Sequence, residues 1–206
     1  MDRYVIFDVD QRDEEWYNLR RGKITASNAH RLLTPAKFST FKWELLAETL
    51  TEHPVPDTRV GEAAQRGIDL EDTAIEAYIE SRAMTHCDYY KMGFCISLDY
   101  PICGASPDLV VGTGGLAEIK CPNSETHLKY IETGAKPEIV AQMNFQMWII
   151  ERQFNDFVTF DDRFRDRKMH MYTKHYERDD DMIEIFKAKA TEMSEFIETF
   201  RMEHGV

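Results

Sequence analysis

The chain of 206 residues carries 25 Lys and Arg against 37 Asp and Glu, a net charge of −12, with 43% hydrophobic and 30% charged residues. This is the balance of an ordinary globular domain, and no apolar run approaches the length of a membrane span. The acidic excess argues against a protein that coats nucleic acid non-specifically, but it leaves a nuclease open, because a metal site needs carboxylates and a local basic patch can hold phosphates.

The length suits one domain, 1–206. Met1-Asp2-Arg3-Tyr4 has neither the n-region nor the h-region of a signal peptide, so none is expected. Cys87, Cys95, Cys103 and Cys121 form no CxxC pair and read as reduced, partly buried thiols. In chain order, a short helix is predicted over 13–21, capped by Asp13 and ended by Gly22. Thr25 is a second N-cap, opening a helix from Ala26 to about Leu33. Further helices are predicted over 39–52 and from about Val60 to Arg82. Strands follow at Tyr89–Lys91, Gly93–Leu98, Gly104–Val111 and Leu116–Cys121. Helices over about 124–133 and Pro137–Arg152 come next, the second with Pro at a favoured first-turn position. Strands Phe157–Phe160 and Lys168–His175 precede a last helix, about Asp179–Glu203. That helix carries Met182, Ile185, Phe186, Ala190, Met193, Phe196, Ile197 and Phe200 at helical spacing, a stripe for core or subunit contact.

The chemistry concentrates in Ala105-Ser106-Pro107-Asp108 and, after nine intervening residues, Glu118-Ile119-Lys120. Leu109-Val110-Val111 and Leu116-Ala117 flank Gly112-Thr113-Gly114-Gly115, which reads as a strand, a tight turn and a strand. Residues two apart in a strand share a face, so Glu118 and Lys120 point the same way and Asp108 can meet them. Two carboxylates suit Mg²⁺ and an adjacent ammonium suits a water, which together fit phosphodiester hydrolysis. Glu and Lys at this spacing also suit the solvated face of a strand. The apolar hairpin favours the site, since charges on a central hairpin need partners or a metal.

Arg20-Arg21-Gly22-Lys23-Ile24-Thr25-Ala26-Ser27 places cations and hydroxyls at a helix start, which suits a phosphate or, equally, an ordinary capped helix with solvated flanks. Glu71 lies beside the face marked by Leu70, Ala74 and Tyr78, where it can reach a metal or simply face solvent. Gln142 and Gln146 share a helix face at i, i+4, suited to orienting water or phosphate or to satisfying backbone groups.

Taken together and in order, these pieces carry a family resemblance. They are Trp16…Arg20-x-Gly22-x-Ile24-Thr25-Ala26-Ser27, Gly67-x₃-Glu71, Gly104-Ala105-Ser106-Pro107-Asp108, Glu118-Ile119-Lys120-Cys121-Pro122 and Ala141-Gln142…Met147-Trp148. The set resembles the phage lambda exonuclease family, the YqaJ-type viral recombinases of the PD-(D/E)xK nuclease superfamily, from about residue 12 to the last helix. The resemblance implies an α/β fold, a central mixed β-sheet flanked by helices forming a restriction-endonuclease-like nuclease core. It implies a Mg²⁺-dependent exonuclease, with Mn²⁺ as a substitute, that digests one strand of linear double-stranded DNA from a 5′-phosphorylated end. The 3′ overhang left behind serves a single-strand annealing protein. It also implies a homotrimer around DNA and a phage or prophage origin, hence the bacterial host cytoplasm and no membrane association.

By motif position, Asp108, Glu118 and the Ile119 carbonyl are implied as metal ligands, Lys120 as the residue that orients or activates the attacking water, and Glu71 as the holder of a second metal or its water. Gln142 is implied as an active-site support, and Arg20 and Ser27 as the pocket for the 5′-phosphate. Two departures stand out. Arg66 precedes Gly67 where the best-known member has an aromatic residue, and residues 33–60 show no motif that aligns. The competing readings are an endonuclease of the same superfamily, a non-catalytic DNA-end-binding protein, and an acidic oligomerisation module. An iron–sulfur exonuclease is disfavoured, because no cysteine follows Cys121.

Overall fold

The structure, a computed structural model, describes residues 3–51 and 62–206. The chain opens with strand β1 (Tyr4–Phe7), helix α1 (Glu14–Arg20), the short strand β2 (Ile24–Thr25), a 3₁₀ segment (Ala26–Leu33) and α2 (Pro35–Leu50). α3 (Glu62–Ser81) leads to β3 (Tyr89–Tyr90), β4 (Phe94–Ser97), β5 (Cys103–Ala105), β6 (Leu109–Val111) and β7 (Gly115–Lys120). After α4 (Ser124–Thr133) and α5 (Pro137–Ile149) come β8 (Phe154–Phe160), a 3₁₀ turn (Arg167–Met169), β9 (Met171–Glu177) and α6 (Asp180–His204).

The strands form two sheets, one ordered β1-β4-β5-β2 and one ordered β3-β6-β7-β8-β9. Both are mixed: β2 pairs parallel with β5, and β7 pairs parallel with β8. A parallel pair needs a crossover, and α4 with α5 supplies it. The expected α/β fold with a mixed sheet flanked by helices is therefore present, but the expected strand Gly104–Val111 is two strands in two sheets. Cys103–Ala105 belongs to the first sheet and Leu109–Val111 to the second. Pro107 lies between them and has no N–H to continue a ladder, so the chain changes sheets there, with Asp108 at the exit.

The five-stranded sheet is covered on both faces. Leu109, Val111, Ala117, Ile119, Val158 and Phe160 pack with Ala74, Ile75 and Tyr78 of α3. Val110, Leu116 and Phe157 join the larger core with α5 and α6. α5 is buried from Met143 to Ile149, as expected of a central helix, and its polar Asn144 and Gln146 are buried with hydrogen-bond partners.

Several predicted details differ. The 26–33 helix is of the 3₁₀ type, and Thr25 makes no side-chain cap to it. α2 starts at Pro35 rather than 39 and ends at Leu50. The predicted start at Val60 lies outside the described residues. β8 starts earlier than expected, at Phe154 rather than Phe157, and β9 is shifted to Met171–Glu177, the 3₁₀ turn replacing the predicted start at Lys168. β1 and β2 were not expected. On α6, Ile183 is buried and Ile185 is exposed, while Phe186, Ala190, Met193 and Ile197 are buried as the stripe predicts. Among the described residues no helix is long and apolar enough to cross a membrane.

Candidate active site

Strand β7 carries the centre of the site. Ala117 and Ile119 face α3, so alternation turns Glu118 toward α5. Glu118 is fully buried and its carboxylate meets three donors. Gln142 Nε2 lies 2.6 Å from Oε1, Gln146 Nε2 lies 2.7 Å from Oε2, and Lys120 Nζ contacts Oε1. Spacing of i, i+4 on α5 places both amides over one carboxylate. Asn155 on β8 then donates to Gln146 Oε1 at 2.9 Å, fixing that amide's orientation. A buried carboxylate with this many donors is compensated rather than stranded.

Asp108, half-buried at the sheet change, accepts the Ile119 N–H on Oδ2 at 2.7 Å. Burial and the nearby Glu118 and Glu71 push its carboxyl well above the usual range, against the pull of Lys120. Burial works against the Lys120 ammonium, but Glu118 and Asp108 outweigh it and hold it above its ordinary value. The two carboxylates thus favour the charged form of Lys120.

Glu71 on α3 reaches the same region and pairs with Arg12 Nη2 at 2.5 Å. Arg12 was not foreseen as a site residue. It is a non-glycine residue at φ +75°, and it lines a cavity of about 400 Å³ together with Glu71, Lys120, Cys121, Asn123 and Tyr130. The neighbouring Gln11 donates to Pro107 O at 3.4 Å, so the loop before α1 lies against the sheet change. Burial and Glu71 push the Cys121 thiol up to about 12, which leaves it unreactive.

Among the described residues no three His, Cys, Asp or Glu side chains converge as a ready metal cage. Protein donors occupy each carboxylate instead. The donor set still fits a hard divalent cation: the nearby acidic groups are all oxygen ligands, and their mutual repulsion, felt at Asp108, is what such a cation relieves.

The second constellation lies at α1 and β2. The Arg20 guanidinium stacks 4.0 Å from the Trp16 ring and donates to Ser27 Oγ at 3.2 Å and Thr25 Oγ1 at 3.4 Å. Burial pushes Arg20 down to about 10, against Tyr17 and Glu48, so it remains charged at neutral pH. Gly22, at φ +64°, allows the turn out of α1, and its N–H donates to Glu48 at 3.2 Å. Two buried polar atoms nearby have no hydrogen-bond partner among the described residues: Trp16 Nε1 on α1, and Ser106 Oγ, which leaves β5 two residues after Gly104, the register partner of Thr25. Both residues lie in the motifs quoted above, but nothing in the sequence marks their polar atoms as unsatisfied. Arg20 with Ser27, and Asp108 with Glu118, Ile119, Lys120, Glu71 and Gln142, thus fall into two separate groups.

The model of the YqaJ-like viral recombinase domain matches residues 15–153. An alkaline exonuclease (LHK-Exo) from Laribacter hongkongensis is similar at 36% identity and a TM-score of 0.80, covering 94% of this chain and 98% of that one. Its complex with dAMP is similar at 35% identity, with the same TM-score and coverage. A phage-related exonuclease from Haemophilus somnus 129PT shares the fold at a TM-score of 0.63 and 16% identity, covering 91% and 99%. Compared with curated proteins, the chain has no significant match. The matched segment runs from the helix bearing Trp16 and Arg20 through the strand and helix that bring Glu118, Lys120 and both glutamines together, and the chain belongs to the YqaJ-like viral recombinase domain family.

Proposed function

We propose that this nuclease of the YqaJ-like family is a divalent-metal-dependent exonuclease. It digests one strand of linear double-stranded DNA from a 5′-phosphorylated end and leaves a 3′ overhang for an annealing partner. The observation that carries this reading is the convergence of Lys120, Gln142 and Gln146 on the buried Glu118 carboxylate beside Asp108, with Lys120 at the wall of an open cleft. Asp108, Glu118 and the Ile119 carbonyl would hold Mg²⁺, or Mn²⁺ in its place, with Glu71 holding a second ion or its water. When bound, the metal supplies an activated water and charge stabilisation at the phosphate.

The chain's own residues do the rest. Gln142 and Gln146 fix the Glu118 carboxylate so that it does not rotate away. Lys120, held as an ammonium, orients the water and stabilises negative charge gathering on the scissile phosphate. Arg20 and Ser27 receive the terminal 5′-phosphate, and the unpartnered Trp16 N–H and Ser106 hydroxyl support that assignment as further donors. A homotrimer around the duplex and work in a bacterial host cytoplasm belong to the same reading.

The test is digestion of linear duplex DNA in Mg²⁺ with 5′-phosphate ends, 5′-hydroxyl ends and a closed circle. The expected result is loss of the 5′-phosphorylated strand alone. Cutting of the circle would move the chain to an endonuclease class, and binding without cutting would leave a DNA-end binder.

A further inference from the structure

Beside the cleft, between β8 and β9, runs Asp161-Asp162-Arg163-Phe164-Arg165-Asp166-Arg167-Lys168. Its acids are all engaged. Asp161 is buried against Arg66 Nη2 at 3.0 Å and Arg163 Nε at 2.8 Å, and Asp162 meets Arg66 Nη2 at 2.5 Å. Asp166 accepts the backbone N–H of Lys168 at 3.0 Å and caps the 3₁₀ turn.

The segment is moored at three points to the elements around the cleft. Arg66 ties it to α3, one residue before Gly67 of the cleft wall. Arg163 Nη2 donates to Pro122 O at 3.4 Å, and Pro122 also lines the cleft. His127 of α4 contacts Met169 O at 2.8 Å, and its ring lies 5.4 Å from that of Phe164. Arg66 and Arg163 are therefore struts. Arg165, Arg167 and Lys168 are different: all three are exposed, and none makes an ion pair among the described residues. In a chain with an excess of 12 acids, three unpaired cations within four residues, on a turn fixed to the cleft wall, form a local field of opposite sign.

We propose that Arg165, Arg167 and Lys168 form a phosphate-binding rim that carries the duplex adjoining the reacting end. This rests on the nuclease reading above and extends it. Arginine forks grip phosphate oxygens and lysine adds a point charge, a contact that is independent of sequence and positions the duplex without reading bases. The acidic remainder of the chain repels DNA, so the rim also orients the approach.

The test is a triple variant, Arg165→Ala, Arg167→Ala, Lys168→Ala. Binding of a 5′-phosphorylated linear duplex is measured in EDTA, where no cleavage occurs, across a salt series. Losing three phosphate contacts should weaken affinity at least about tenfold and lower the slope of log K against log salt by roughly 2 to 3. Turnover at saturating DNA should stay within about twofold. Arg167→Glu alone, on an exposed side chain with no hydrogen bond or ion pair among the described residues, should weaken binding in the same direction. Unchanged affinity and slope in both variants, with wild type digesting duplex normally, would overturn the rim and leave the nuclease reading intact. A wild type that neither binds nor digests duplex would overturn both.

Discussion

The Arg12 guanidinium lies 2.5 Å from the Glu71 carboxylate across the mouth of the cleft, and Arg12 reaches it from a left-handed backbone at φ +75°. A non-glycine residue there costs about 1–2 kcal/mol and persists where its surroundings dictate it. An exposed ion pair contributes at most about 1 kcal/mol, so the pair by itself does not offset the strain. Arg12→Gly removes both effects, and Tm should stay within about 3 °C of wild type. Digestion of linear duplex should fall at least about tenfold, because Glu71 loses the group that holds it at the cleft. Full activity in this variant would show that Glu71 positions itself.

Asp108 makes a prediction about stability and metal together. Its carboxyl is held above the usual range, so between the ordinary carboxylate pKa and the raised value the folded protein binds more protons than the unfolded chain. In EDTA, stability should therefore fall as pH rises through that window, and the loss should persist at neutral pH. Asp108→Asn keeps an acceptor for the Ile119 N–H, removes the repulsion and flattens this slope. Its Tm in EDTA at neutral pH should exceed that of wild type by a few degrees while activity is lost. Mg²⁺ should raise the wild-type Tm, by about 2.7 kcal/mol of stability at a hundredfold excess over Kd, and should leave the variant unmoved. Equal Mg²⁺ shifts in the two proteins would remove Asp108 from the metal site.

Gln142 and Gln146 donate to the same carboxylate from different depths. Gln146 is fully buried, and its loss leaves Glu118 short of a donor and Asn155 without its acceptor. Gln146→Leu should cost roughly 2–3 kcal/mol in urea denaturation. Gln142 is half-buried, so water can replace its amide, and Gln142→Leu should cost under about 1.5 kcal/mol while reducing turnover. The reverse order of stabilities would place the structural weight on the outer glutamine.

These contrasts show what was legible in the chain. Glu118 with Lys120 could be read because a strand has period two, and Gln142 with Gln146 because a helix brings i and i+4 together. Both rules are local. What escaped depends on pairing across long separations. β1 joins its sheet through β4, with Tyr4 opposite Ser97, and its four residues carry no periodicity to reveal that. The division of 104–111 between two sheets could be suspected at Pro107, but only the partners of β5 and β6 decide it. Arg12 lies in a polar loop with no pattern, and its role appears only when α3 brings Glu71 to it. Thr25 has the residue type of an N-cap, yet its hydroxyl faces Arg20, and tertiary demand overrides the local preference.

The phosphate pocket gives the last prediction. The Ser106 hydroxyl is buried without a partner among the described residues, which costs stability unless a ligand supplies one. Ser106→Ala removes that cost, so Tm should hold or rise by about 2 °C while the preference for 5′-phosphate over 5′-hydroxyl ends declines. Arg20→Ala should abolish the preference more completely, because the stacked guanidinium carries the charge, and metal affinity measured by calorimetry should stay near wild type. Arg20 is pushed only down to about 10, so it stays a cation from pH 7 to 9 and the preference should be flat across that range. A preference that fades between pH 7 and 9, or that survives Arg20→Ala, would assign the phosphate to another group.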